Sequence, residues 1–227
     1  MKIALDVDDT LNNARECYEN WVYNYYFGEF KLHPRGYDFN LCHTDGFFSP
    51  IMPMDPQDIK VMFGDSNLWK RMRLTTFGIK LLYILEKHNM NFVIVTKPPP
   101  VDDTMFKILR GDFLYGSGLA NVPVIYTSRK ENTDCDLLID DHWDNIRRFL
   151  DSSCDRLAVF VATKNSTLIK DGGYGEIGHM TALIMKYGDR IFPVFPAFCT
   201  SNDLCELELA LLNANAHGEF RMRPYHG

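Results

Sequence analysis

The stretch Lys2-Ile3-Ala4-Leu5-Asp6-Val7-Asp8-Asp9-Thr10-Leu11 constrains this chain more than any other. Its apolar start has the length of a buried strand, yet it stops in three acidic residues within four positions, followed by a threonine. Carboxylates crowded at one strand end repel by roughly 4 kcal/mol per pair at about 4 Å and an effective dielectric of about 20, so a compensating charge is expected. Two readings fit. In one, the acids form a turn leaving an edge strand, and Asp9 or Thr10 caps the next helix. In the other, the strand belongs to an open parallel sheet, whose ligands gather at the carboxyl ends of the strands, and the tip holds a divalent cation.

Three later segments bear on the choice, and the last of them favours the second reading. Asn91-Phe92-Val93-Ile94-Val95-Thr96 is another buried strand that ends in a hydroxyl, followed by Lys97 and three prolines that cannot continue a ladder. Val122 to Tyr126 reads as a third strand and runs into Thr127-Ser128-Arg129-Lys130, a basic pair on a loop. Asp136-Leu137-Leu138-Ile139-Asp140-Asp141 then repeats the opening theme, a short apolar strand closed by paired acids. If both strands lie in one sheet, Asp6, Asp8 and Asp140 share a cleft and a metal is needed to hold their charge. The donors Asp6, Asp8 and Asp140 are all oxygens, which points to Mg²⁺ rather than Zn²⁺.

Between these strands the apolar spacing changes to three and four residues. Asn12 or Asn13 can cap a helix carrying Ala14, Cys17, Tyr18, Trp21, Val22 and Tyr25, which stops near Gly28. From there to about Leu74 the pattern is irregular and aromatic (Phe30, Tyr37, Phe39, Phe47, Phe48, Phe63, Trp69), with one clear helix from Asp55 as cap and Pro56 at the first position to Gly64. Most of these aromatics are expected to fill the core of a small domain, with one or two left to face a ligand. Further helices are expected from Thr75 or Thr76 to His88, around Asp103 to Leu109, over Asp144 to Leu150, near His179 to Tyr187 and over Asp203 to Asn213, with a strand from Arg156 to Ala162. The glycines at 172, 173, 175 and 178 lack a phosphate-loop lysine and read as a flexible loop. The expected fold class is therefore α/β, a parallel sheet flanked by helices built from residues 1–12 and 75–227, with residues 13–74 as a small, mainly helical insertion after the first strand.

At 227 residues and 46% hydrophobic content the chain can bury one substantial α/β core. A formal charge of -6 argues against an extended nucleic-acid surface, though not against a pocket for one phosphate. The six cysteines are scattered, the start turns acidic too soon for a signal peptide, and no apolar run approaches a membrane span. These features lead us to expect a cytoplasmic protein with a small-molecule partner and no membrane association, and a homodimer is compatible with them.

Taken in order, the four tips resemble the motifs of the haloacid dehalogenase superfamily of phosphotransferases: Asp6-Val7-Asp8-Asp9-Thr10, Thr96, Lys130 and Asp140-Asp141. Within it, the helical insertion after the first motif and the spacing from Arg129-Lys130 to Asp140-Asp141 look most like the 5′(3′)-deoxyribonucleotidases. The resemblance spans roughly residues 1 to 145 and departs at Asp9 and Thr10, where that family tends to have glycine and a small apolar residue. It implies a Rossmannoid sheet with a cap and a Mg²⁺-dependent phosphatase acting through a covalent phosphoenzyme. The substrate it implies is a small phosphate ester, foremost a nucleoside or deoxynucleoside monophosphate. By resemblance Asp6 is the nucleophile, Asp8 the general acid and base, Thr96 a donor to the phosphoryl group and Lys130 its counter-charge. Mg²⁺ falls to Asp6, the Asp8 carbonyl and Asp140, with Asp141 as the alternative or supporting acid. A phosphatase of polynucleotide ends and a non-catalytic binding module of the same fold are the competing expectations.

Overall fold

A strand that is apolar on both faces must be covered on both, and every central strand of this chain is of that kind. In the computed structural model, which describes residues 1–27, 56–98, 103–162, 176–196 and 200–220, six strands form one parallel sheet. They are β1 (Lys2–Leu5), β2 (Asn91–Thr96), β3 (Val124–Tyr126), β4 (Leu137–Asp140), β5 (Leu157–Val161) and β6 (Ile191–Val194), in the spatial order β3-β2-β1-β4-β5-β6. The helices are α1 (Ala14–Phe27), α2 (Pro56–Gly64), α3 (Ser66–Arg71), α4 (Thr76–Lys87), α5 (Asp103–Gly116), α6 (Trp143–Asp151), α7 (Glu176–Tyr187) and α8 (Ser201–His217). The α/β class and the parallel sheet agree with the sequence reading. No helix of the described residues is long and apolar enough to cross a membrane.

Contacts divide the chain into two compact units. The first, Met1–Leu11, Thr76–Thr96 and Val122–Gly227, contains the whole sheet. Ala4, Val93, Val95, Leu138, Ala158 and Phe160 point to one face, where Ile146 and Phe149 of α6 and Leu183 and Tyr187 of α7 close over them. On α6 the apolar face is Ile146, Phe149 and Leu150, which leaves Asp144, Asn145, Arg147 and Arg148 on the polar side. Gly78 in α4 allows a close approach: a Cβ there would stand 2.2 Å from the carbonyl oxygen of Leu11, just past the acidic tip.

The second unit, Asn12–Thr75 with Lys97–Asn121, holds α1, α2, α3 and α5. Within it, a bridge pairs Asn12 with Leu74, reinforced by Asn13 N–H donating to Arg73 O at 3.2 Å and Arg73 N–H donating to Asn13 Oδ1 at 2.8 Å. Inside, Tyr18 meets Phe63 edge-on at 5.4 Å, and Trp69 meets Phe106 at 5.5 Å with the buried Arg110 guanidinium over both Trp69 and Phe106.

Two elements, α3 and β6, escaped the sequence reading and a third, α5, was read too short, each for a local reason. The six-residue helix α3 has too few turns to show a period, and it is set by Asp65, whose side chain accepts from Asn67 N–H at 2.8 Å. Helix α5 runs on to Gly116 instead of stopping near Leu109, because the buried row continues through Arg110 to Phe113 and Leu114 and a charged residue disguises it. Strand β6 carries Pro193, which argues against a central strand; it is the outermost strand, where a missing N–H is tolerated. Gly28, Phe30, Tyr37, Phe39, Phe47, Phe48, Asp55, the glycines at 172, 173 and 175 and the polar tail from Arg221 lie outside the described residues.

Candidate active site

The chain leaves β1, builds β2 and β3 outward on one side, then returns to place β4 on the other side of β1. That reversal is a topological switch point, and the crevice beyond the carboxyl ends of the two strands is where an open α/β sheet receives ligands. Leu5 pairs with Ile139, and Asp6 N–H donates to Ile139 O at 3.0 Å, so the register sets Asp6 beside Asp140 at this crevice. Both are buried, Asp140 completely.

Lys130 lies between them. Its ammonium is 2.5 Å from Asp6 Oδ1 and 2.6 Å from Asp140 Oδ2, with the residue only 3% exposed. The lysine is carried on a single helical turn, Lys130–Asn132, whose first carbonyl accepts from Thr133 N–H at 3.1 Å and Thr133 Oγ1 at 2.7 Å. Arg156 clamps the turn by donating to Glu131 O at 2.6 Å and Thr133 O at 2.7 Å while lying over the Phe149 ring. The loop lysine is thus a fixed, buried cation.

Asp140 is saturated with donors. Its Oδ1 accepts from His142 N–H at 2.7 Å and Asn145 Nδ2 at 3.2 Å, and its Oδ2 accepts from Lys130 and from Asn145 Nδ2 at 3.1 Å. Asp141 is partly buried and accepts from Thr10 Oγ1 at 3.2 Å, across 131 positions of sequence. Asparagines stand at the start of the next helix, α1. Asn12 Oδ1 accepts from Ala14 N–H at 3.1 Å, and Asn13 O takes Cys17 N–H. Asp9 holds the tip turn with φ 59, a left-handed value that aspartate tolerates better than most side chains and that glycine adopts freely.

Burial pushes the Asp6 carboxyl up to about 7; Lys130 pulls it down, and the charges of Asp140 and Asp8 push it further up. Burial disfavours the Lys130 ammonium as well, but Asp140 and Asp6 outweigh it and hold the lysine above its usual value, charged at neutral pH. Asp8 sits on the turn after β1, half-buried. Thr96 ends β2, buried, at the same edge of the sheet, and its carbonyl accepts from Thr127 N–H at 3.0 Å. No hydrogen bond joins its side chain to the Lys130 cluster among the described residues.

Carboxylate oxygens of Asp6, Asp140 and Asp141 lie within 4.8 Å of one another. Around an octahedral Mg²⁺, opposite oxygens stand about 4.2 Å apart and neighbouring ones about 3.0 Å, so this all-oxygen set lies within reach of one hard divalent cation once its side chains close on it. Three carboxylates against one ammonium also leave a formal deficit that one such ion offsets. Trp69, one of the aromatics read as core filling or facing a ligand, is core: it is 5% exposed, and its Nε1 donates to Phe63 O at 2.9 Å.

Sequence reasoning missed Asn145 and Arg148, which it read only as part of a short helix; the nearest signal is an amide five residues after Asp140, in the first turn of α6. No family model matches the chain, and no curated protein sequence matches it.

Proposed function

We propose that this chain is a Mg²⁺-dependent phosphomonoester hydrolase that works through an aspartyl phosphate on Asp6 and takes nucleoside or deoxynucleoside monophosphates. The observation that carries this reading is the burial of Asp6, Lys130 and Asp140 together at the carboxyl ends of β1 and β4, with Asp141 within metal-sharing distance. A buried Asp–Lys–Asp set at a switch point is costly to maintain for structure alone. Its likeness to the haloacid dehalogenase motifs, and to the deoxyribonucleotidases among them, supplies the division of roles.

In the first step an Asp6 oxygen attacks phosphorus and the bond to the leaving oxygen breaks, while Asp8 gives that oxygen a proton. In the second, Asp8 takes a proton from water, the water oxygen attacks phosphorus, and the bond to Asp6 breaks to release inorganic phosphate. Lys130 offsets charge on the phosphoryl oxygens, and Thr96 donates a hydrogen bond to them. Asp6, the Asp8 carbonyl and Asp140 or Asp141 would hold Mg²⁺, which would supply the positive charge a phosphate dianion needs to approach a carboxylate.

The test is phosphate release from a panel of nucleoside monophosphates, sugar phosphates and 5′-phosphorylated oligonucleotides, with Mg²⁺ and with chelator. Wild type is expected to turn over the mononucleotides only with Mg²⁺, and Asp6→Asn to be inactive with an unchanged circular dichroism spectrum. Full activity in Asp6→Asn removes the proposal.

A further inference from the structure

Lys130 and Asp140 belong to a closed ring of contacts that extends beyond the groups assigned to chemistry. Asn145 donates to both oxygens of Asp140, at 3.2 and 3.1 Å. Its own oxygen accepts from Arg148 Nη2 at 3.0 Å, one turn further along α6. Arg148 also reaches Glu131 Oε1 at 3.6 Å, and Glu131 follows Lys130 directly in the chain. The circuit therefore runs from Lys130 through Asp140, Asn145, Arg148 and Glu131 back to Lys130. An arginine can only donate and an ionised carboxylate can only accept, so a single amide orientation of Asn145 satisfies both neighbours.

We infer that Asn145, oriented by Arg148, is a positioning residue that holds Asp140 where it keeps the Lys130 ammonium against Asp6. The consequence for turnover rests on the phosphatase reading above; the consequence for Lys130 does not. A carboxylate free to rotate lets the ammonium follow it, and an ammonium displaced from Asp6 no longer lies where phosphoryl charge develops. Asn145 touches no reacting atom, so its loss is expected in kcat more than in KM.

The experiment compares Asn145→Asp, Asn145→Ser, Asn145→Ala, Arg148→Met and the Asn145→Ala/Arg148→Met double variant. Each is assayed for Mg²⁺-dependent phosphate release and for the slowly exchanging ¹H–¹⁵N signal of the buried Lys130 ammonium, assigned by its absence in Lys130→Met. Loss of a partner that orients a primary group costs about 10–100-fold in activity, and that fall in kcat is expected for Asn145→Ala. Asn145→Asp keeps the shape but turns a carboxylate toward Asp140, so it is expected to fall further than Asn145→Ala; a space-filling role predicts the opposite order. The double variant is expected to be no worse than Asn145→Ala alone, because both substitutions break one circuit.

The Lys130 signal should broaden or vanish in the Asn145 variants whether or not any phosphate ester is a substrate. If wild type hydrolyses nothing and the signal is still lost, the positioning role stands and the function assignment falls. A Lys130 signal and a kcat in Asn145→Asp that both match wild type overturn the inference.

Discussion

The Lys130 ammonium lies 2.5 Å from the Asp6 carboxylate, both buried at the carboxyl end of β1. This pairing explains how an apolar strand can end in acids inside a folded core: the chain supplies one compensating cation itself. Lys130→Met leaves Asp6 and Asp140 facing each other without it, and truncating one partner of a buried ion pair costs about 3–5 kcal/mol. Urea unfolding at neutral pH should show a loss of that size together with loss of turnover. A loss below about 1 kcal/mol would mean that another group balances the charge.

Divalent-ion binding can be read without a substrate. Saturating Mg²⁺, at about 100 times its dissociation constant, should stabilise wild type by about 2.7 kcal/mol, and Asp6→Asn and Asp141→Asn should lose most of that gain. Thr10→Val removes the hydroxyl that steadies Asp141 at 3.2 Å and is expected to weaken Mg²⁺ about tenfold. An undiminished Mg²⁺-induced shift in Asp141→Asn would remove Asp141 from the metal site.

Two glycines should respond in opposite directions. Gly78→Ala drives a Cβ to 2.2 Å from the Leu11 carbonyl oxygen, a clash with backbone that should cost about 1–3 kcal/mol and disturb the neighbouring tip. Gly111→Ala, inside α5, meets nothing within 4 Å and should stabilise by about 0.4–1 kcal/mol. Thermal melts of the two variants decide this directly.

On the far side of α6, Asp151 accepts from Lys186 Nζ and Tyr187 Oη, each at 2.8 Å, joining α6 to α7. The Lys186 hydrogen bond leads in holding its carboxyl below the usual carboxylate range, against the opposing effect of burial, with Tyr187 adding to the depression. A depressed folded-state value means that the unfolded chain binds the proton first as pH falls. The stabilisation is therefore complete above about pH 4 and is lost as pH drops through the folded value. Because the pair faces solvent, Asp151→Asn should cost less than about 1 kcal/mol at pH 7 and nothing once Asp151 is protonated. Urea midpoints of both proteins across pH 2.5–7, a range of about 4.5 units, test the sign.

Much of the architecture was legible along the chain. Strand β2 and helix α2 begin and end where their spacing and turn residues place them, and α6 does so within a residue at each end. Asp6, Asp140 and Asp141 stood out by type and by their place at the ends of apolar runs, whereas Lys130, a loop lysine, stood out only through the resemblance. Less legible were segments whose local signal conflicts with their environment, such as Arg110 in a buried helical row and Pro193 in a strand. The aromatic character of Trp69 suited a small core, where its ring does pack, but gave no indication that its N–H is satisfied there as well.

By itself the sequence determined the periods: where the chain is apolar on two faces, where on one, and which side chains stand where each strand stops. Those properties depend on a few neighbouring residues and need no knowledge of the rest. Only the tertiary structure decided that β4 lies beside β1. That placement seats the Lys130 ammonium between two carboxylates and lets Thr10 reach Asp141. The physical reason is that a charge is compensated by what is near it in space, and the order of strands in the sheet sets nearness across more than a hundred residues.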